Sequence, residues 1–361
     1  MTNVFNKQDE HIDTLERDLK AKLRWVNIAK GIGITLVVIG HYFPANSPSY
    51  WHFVHDFIYT FHMPLFFIIS GYLYKFKEDE YMKLIVSKLQ RLAIPFLITA
   101  FVYSIFKLIA GNFVQLDNPV NLQSALQLLV DPVHSFVPLL WFVHALFGIF
   151  LIYPLVRTVM QPVLIFVVAL LIAILYNILE IYIPVLSKVI ENLPYFAFGV
   201  VCADKALNEK LFRLSIGKVC IYLLLALIVC STSYVELFGT FAENISFLRF
   251  LPGLVGGMTA ISLSILIEKK CSEKQSQLFE VFGICSMGIY LFHAIFESAV
   301  RIVFAKFQVY LEIHFLIVAM LAIFIGLAVP TLIEIFILRK SNILSKLFLG
   351  VRLSGDKRLN K

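Results

Sequence analysis

Apolar runs of about twenty residues recur along this chain from residue 26 to residue 338. A helix of that length crosses the hydrocarbon core of a bilayer. Inside that core each backbone N–H and C=O must be satisfied by the chain itself, and an α-helix does this unaided. Ten such stretches can be drawn, at 26–43, 57–75, 92–111, 137–156, 162–183, 190–203, 215–235, 247–267, 279–299 and 313–338. The sixth, around Glu191-Asn-Leu-Pro-Tyr-Phe-Ala-Phe-Gly-Val-Val-Cys202, is short. It fits a tilted helix buried in protein, or a longer helix beginning near Val185. With 59% hydrophobic and 15% charged residues, the chain is far from a soluble composition. The predicted class is all-α: a polytopic integral membrane bundle of about ten transmembrane helices.

The first apolar run lies behind about 25 polar residues and has no small-residue cleavage site, so it reads as a retained helix. Residues 1–24 form a predicted cytoplasmic tail. Within it Ile12, Leu15 and Leu19 suit either a short amphipathic helix or a solvated segment. Residues 25–340 form one membrane domain, and 341–361 a basic cytoplasmic tail. No internal repeat or second soluble domain is visible. The five cysteines show no close pair and no metal-ligand spacing.

Charge sets the predicted orientation. With both termini cytoplasmic, 25 Lys/Arg fall on the inner side and five on the outer, Lys30 lying within the first span. Such a bias is the positive-inside pattern. The net charge of +7 then reflects topology and contact with anionic membrane lipid, not nucleic acid. The same topology puts eight of the nine histidines on the outer side, only His11 being cytoplasmic. His52, His55, His134 and His314 suit a plain interface. His41, His62, His144 and His293 fall inside or at the start of apolar spans, where imidazole is the side chain suited to proton transfer near neutral pH.

Lys30 and His41 share the first span. Eleven residues at 100° each is close to three whole turns, so both fall on one helix face, ~16 Å apart along the axis. Either they mark a polar path through protein, or each reaches its nearer membrane surface. Four further stretches stand out. Thr60-Phe-His-Met-Pro-Leu-Phe-Phe-Ile-Ile-Ser-Gly-Tyr72 opens the second span, with Pro64 near the helix start and Ser70-Gly71 offering a small packing surface. Lys88-Leu-Gln-Arg91, with Lys75, Lys77 and Lys83, forms an inner cationic patch suited to anionic lipid or to a phosphorylated cofactor. Trp141 and His144 sit at the start of the fourth span. Ser286, Tyr290, His293 and Glu297 follow at steps of four, three and four, a polar stripe on an apolar helix. There a carboxylate one turn from an imidazole could orient it, or the stripe could only bond neighbouring helices. No metal is expected: there is no HExxH, and His52, His55 and Asp56 fall in a predicted loop.

Taken in order, these motifs resemble the membrane acyltransferase-3 family, and within it the fucose 4-O-acetylase-like branch. The resemblance covers roughly residues 24–340 and rests on Lys30 with His41, the Phe-His-Met-Pro-Leu-Phe-Phe-Ile-Ile-Ser-Gly-Tyr stretch, Lys88 and Arg91 leading into Leu-Ala-Ile-Pro95, Leu-Trp-Phe-Val-His144, and Ser-Met-Gly-Ile-Tyr-Leu-Phe-His293. Where many members carry Arg, this chain has Lys30, which keeps the charge but lacks the planar fork. The resemblance implies transfer of an acyl group, usually acetyl, from cytoplasmic acyl-CoA to a hydroxyl of an extracytoplasmic glycan or its lipid-linked precursor, in a bacterial cytoplasmic membrane. It implies Lys30, Lys88 and Arg91 as contacts for the donor's phosphates and His41 as general base. Glu297, set at the place of the family's late carboxylate, and His293 would support that base. His62, Ser70, Trp141, His144 and Tyr290 are candidates for acceptor binding, with Ser70 or Tyr290 as donor to the oxyanion. The alternative is a transporter or flippase for a glycan or organic anion, which buried polar groups would also suit. The missing repeat and the split between inner cations and outer imidazoles speak against it.

Overall fold

The structure, a computed structural model, describes residues 24–45, 47–75, 80–113, 118–203, 218–219, 221–226, 246–306 and 315–351. The tail 1–23, most of the seventh expected span, and His11, His314, Lys77, Cys220 and Cys230 lie outside these residues. Among the described residues there is no strand. The helices are α1 (Arg24–His41), α2 (Ser49–Tyr59), α3 (His62–Tyr72), α4 (Tyr81–Lys88), α5 (Ile94–Ala110), α6 (Leu122–Val130), α7 (Trp141–Arg157), α8 (Pro162–Ile178), α9 (Ser187–Cys202), α10 (Ser246–Lys270), α11 (Glu273–Ile284), α12 (Ser286–Lys306) and α13 (Phe315–Phe336). Among the described residues, six stretches are long and apolar enough to cross a membrane: Ser49–Tyr72, Tyr81–Ala110, Pro138–Arg157, Phe250–Lys270, Ser286–Phe304 and Phe315–Lys340.

Several boundaries differ from those drawn on hydropathy. The stretch with His52, His55 and Asp56, expected as a loop, is helix α2, which runs almost directly into α3. Lys88 and Arg91, expected in an inner loop, are on a continuous helical path: α4 passes into α5 through a π-helical turn, Leu89–Ala93. The ninth span, expected from 279, is broken at Cys285, so α11 and α12 are separate helices. α9 begins at Ser187, matching the longer version of the sixth span. Hydropathy averages miss such breaks because a π turn or a single non-helical residue barely changes local apolarity.

α1 sits in the middle. It packs against α2, α3, α10, α11, α12 and α13. That position explains a sequence with Arg24, Asn27, Lys30 and His41 in one 18-residue helix: protein, not lipid, surrounds most of it. Two reciprocal glycine contacts set the close crossings. A Cβ on Gly31 would overlap the Phe279 carbonyl of α11, and one on Gly283 would overlap the Asn27 carbonyl of α1. Likewise Gly71 of α3 lies on the Phe196 carbonyl, and Gly199 of α9 on the Ile68 carbonyl. Backbones that meet this closely gain dispersion contact along their length, the main attraction between helices in lipid. The small surface at Ser70-Gly71 is thus used, through Gly71.

One end of α1 is fixed by Arg24, which binds Glu280 at 2.8 Å and Ser276 at 2.7 Å, and by the Trp25 N–H, which donates to Glu268 at 3.0 Å. At the other end the Trp51 indole N–H donates to the Tyr42 carbonyl at 2.7 Å. Carbonyls at a helix C-terminus have no partner within the helix, so Trp51 closes α1 one residue past His41. Beyond α13 the chain keeps packing. Ser345 and Leu349 are buried, Phe348 lies against Phe292, and Gly350 (φ +63°) rests on the backbone of Arg91.

Gly31→Ala should force α1 and α11 apart and cost about 1–3 kcal/mol. Gly148→Ala would meet only the Val189 Cγ2 methyl, 2.6 Å away, which a side-chain rotation relieves. Thermal unfolding of the two variants in detergent should show the larger fall for Gly31→Ala; equal falls would contradict the close-crossing argument.

Candidate active site

Three imidazoles from three helices converge at the C-terminal end of α1. The His41 ring lies 5.1 Å from that of His293 on α12 and 6.4 Å from that of His62 on α3, centroid to centroid. The Tyr59 ring is 5.9 Å from His41 and 4.8 Å from His62. His62 and His293 are buried, whereas His41 keeps part of its surface open.

Hydrogen bonding separates the three. His62 Nδ1 is 2.8 Å from the Ile58 carbonyl. His293 Nδ1 is 2.9 Å from both the Ile289 and Tyr290 carbonyls. A carbonyl only accepts, so in both rings Nδ1 carries the proton and the backbone fixes the ring orientation. That leaves each Nε2 as an acceptor, and His293 Nε2 is buried without a hydrogen-bond partner. His41 is held by no hydrogen bond to a described residue; only ring contacts with Tyr59, His62 and His293 position it.

The polar stripe on α12 is real as spacing but does not act as a unit. His293 is oriented by its own helix backbone, not by Glu297, whose buried Oε1 has no partner. Glu297 instead lies against α13, where Gly326 makes room for it: a Cβ there would stand 3.0 Å from Glu297 Cγ and Oε1. The Tyr103 hydroxyl, also buried, is within electrostatic range of Glu297 and lies near the Ile295 backbone. Buried polar atoms without partners call for water or a ligand group. Tyr103 was invisible in the sequence, being one tyrosine among 15.

Other expected residues fall elsewhere. Ser70 is eight residues beyond His62 on α3, ~12 Å deeper along the helix, so it cannot donate to an oxyanion beside His41. The Tyr290 hydroxyl donates to the Leu139 carbonyl, which occupies the proton an oxyanion would need. Trp141 packs on Phe67, with Lys188 5.8 Å from its ring; Phe142 and Tyr290 separate it from His293. His144 is directed to Leu129 and Asp131 and joins no ring of the cluster.

The cations gather toward the opposite end. Lys30 stands ~16 Å from His41 along α1. It makes no ion pair with a described residue, and the charges acting on it are Glu334 and Arg339. Glu334, 1% exposed, accepts from Arg339 at 2.6 and 3.0 Å and from the Gly288 N–H at 3.1 Å. This pair, with Glu334 buried and Arg339 half-buried, locks the end of α13 to the start of α12, and nothing in the sequence pattern marked it. Lys88 Nζ sits 3.5 Å from the Phe150 ring centroid. Arg91 is exposed on the π turn. Neither Lys88 nor Arg91 is paired with a described carboxylate. Among the described residues no group of three His, Cys, Asp or Glu side chains could hold a metal ion.

A family model described as an acyltransferase domain matches residues 23–335. The chain belongs to the acyltransferase-3 family. No curated protein and no solved structure matches it. With six stretches able to span a bilayer, this acyltransferase is a multi-pass membrane protein. The match takes in α1 through nearly all of α13, so the histidine cluster and the three cations all belong to the acyltransferase domain.

Arg339→Gln should leave the buried Glu334 carboxylate short of donors and destabilise the acyltransferase by about 3–5 kcal/mol. The double variant Glu334→Gln/Arg339→Gln should recover a good part of that loss, because the uncompensated charge is gone. Thermal midpoints of the purified variants decide it.

Proposed function

We propose that this acyltransferase moves an acyl group, acetyl in the first instance, from acyl-CoA to a hydroxyl of an extracytoplasmic glycan or its lipid-linked precursor, as in the fucose 4-O-acetylase-like branch, in a bacterial cytoplasmic membrane. The observation that carries the reading is the contrast within the histidine cluster. His62 and His293 are tied by backbone carbonyls, while His41 is partly open and unbonded, on the same helix face as an unpaired Lys30. One unbonded base and one free cation, three turns apart on a helix held inside protein, suit a donor whose charged tail and reactive thioester lie far apart.

In this reading Lys30, Lys88 and Arg91 meet the donor's phosphates, and the pantetheine arm extends along α1. His41 removes the proton from the acceptor hydroxyl as its oxygen attacks the thioester carbonyl. The tetrahedral intermediate collapses, the carbon–sulfur bond breaks, and the CoA thiolate takes the proton from the His41 imidazolium. His293 Nε2, an acceptor within a small ring rotation of His41, can bond a His41 N–H and steady the imidazolium. A positioned base of this kind contributes about 10²–10⁴-fold. Oxyanion stabilisation has no donor among Ser70 and Tyr290 as they stand, and the one N–H of His62 is given to the Ile58 carbonyl, so it falls to other groups of the acyltransferase.

His41→Ala should lower acyl transfer, measured as thiol release from acetyl-CoA, by about 10²-fold or more, with the protein still abundant in the membrane. Wild-type turnover in that variant would remove His41 as the base. Lys88→Ala and Arg91→Ala should raise KM for acetyl-CoA and leave KM for the acceptor alone. Substrate flux into proteoliposomes with no thiol release would point to a transporter instead.

A further inference from the structure

A pile of flat rings stands at the rim of the histidine cluster. Phe43 follows His41 by two residues, where the chain leaves α1. Its ring lies 4.1 Å from that of His55, with planes 27° apart, and His55 lies 4.0 Å from Tyr59, with planes 28° apart. His55 and Tyr59 are one turn apart on α2, so the helix itself sets their spacing. Asp56 holds the pile: its carboxylate is 2.7 Å from His55 Nδ1 and is still 46% exposed. Tyr59 is 43% exposed, and the same ring touches both His41 and His62. It is therefore the side chain that faces the surroundings on one side and the candidate base on the other.

We infer that Tyr59, backed by the His55–Phe43 pile, is the seat of a pyranose ring of the acceptor, with Asp56 accepting from its hydroxyls. This rests on the acyltransferase reading above. The chemistry matches a sugar more closely than a lipid. A pyranose is apolar on its C–H faces and polar at its edges, and the rim offers an aromatic surface with an exposed carboxylate beside it. A hydrocarbon chain would have no use for Asp56. A wall already stacked and pinned loses little freedom when it binds. A sugar seated on Tyr59 would carry its hydroxyls toward His41, so the seat governs which hydroxyl is acylated.

The test uses full-length protein in nanodiscs, a panel of methyl hexopyranosides and 1,3-propanediol as a hydroxyl acceptor without a ring. Binding is read by calorimetry and transfer by thiol release from acetyl-CoA. Tyr59→Leu should weaken binding of the preferred glycoside, and raise its KM, about tenfold, with KM for acetyl-CoA unchanged and the propanediol rate falling by much less than the glycoside rate. Tyr59→Phe should stay near wild type, which controls for folding, and Asp56→Asn should weaken the glycoside alone. Unchanged glycoside binding in Tyr59→Leu, an equal loss for glycoside and propanediol, or no glycoside bound by wild type would each overturn the inference. Glycoside binding that depends on Tyr59, without any thiol release by wild type, would support the seat and remove the acyltransfer reading instead.

Discussion

The structure depends on keeping α1 out of lipid. A helix that carries Lys30 and His41 on one face is expensive in hydrocarbon, and it becomes tolerable when other helices or a wet cavity cover that face. Six helices do so here. The glycine contacts at Gly31–Phe279 and Gly283–Asn27 bring α11 onto α1 at backbone distance, and hydrogen bonds from Arg24 and Trp51 hold its two ends. The remaining elements are arranged around a polar axis that the bilayer would otherwise reject.

That axis has two different ends. At one, Lys30, Lys88 and Arg91 stand without carboxylate partners among the described residues, while Arg24 is spent on Glu280 and Arg339 on Glu334. At the other, imidazoles are sorted by their hydrogen bonds. Two are fixed by backbone carbonyls, which sets their tautomer, and the third is positioned by ring contacts alone. Group transfer needs this division, because a base must be able to gain and lose a proton while its neighbours hold geometry. Glu297 Oε1 and His293 Nε2, both buried without a hydrogen-bond partner among the described residues, are a second sign that the interior is built for more than packing.

The histidine cluster was partly legible before any coordinates. His41, His62 and His293 stood out because imidazoles inside apolar helices are rare, and helical periodicity put His41 on the same face of α1 as Lys30. Their mutual contact was not legible, since it joins residues 21 and 252 positions from His41. Ser70 and Tyr290 were drawn into the site by motif position alone: one lies too deep, and the other spends its proton on Leu139. Glu297 was paired with His293 because an i, i+4 step permits contact, but the backbone of α12 got there first. His55 reads from sequence as a plain interface histidine, and nothing in their spacing singles out Tyr59 or Phe43; only the packing of α2 beside the end of α1 stacks the three rings.

The amino-acid sequence by itself determined the helical class, the membrane character, the shared face of Lys30 and His41 and the family resemblance. All of these follow from composition or from spacing within one helix, where geometry is fixed by 3.6 residues per turn. The tertiary structure decided where helices break, at Leu89–Ala93 and Cys285, and which imidazole is bonded. It also decided that Glu334 finds Arg339 and that three rings pile up beside His41. The bonds of the imidazoles and of Glu334 to Arg339 are short in sequence, but spacing does not encode which rotamer is taken or where a helix ends; packing against neighbouring helices selects both.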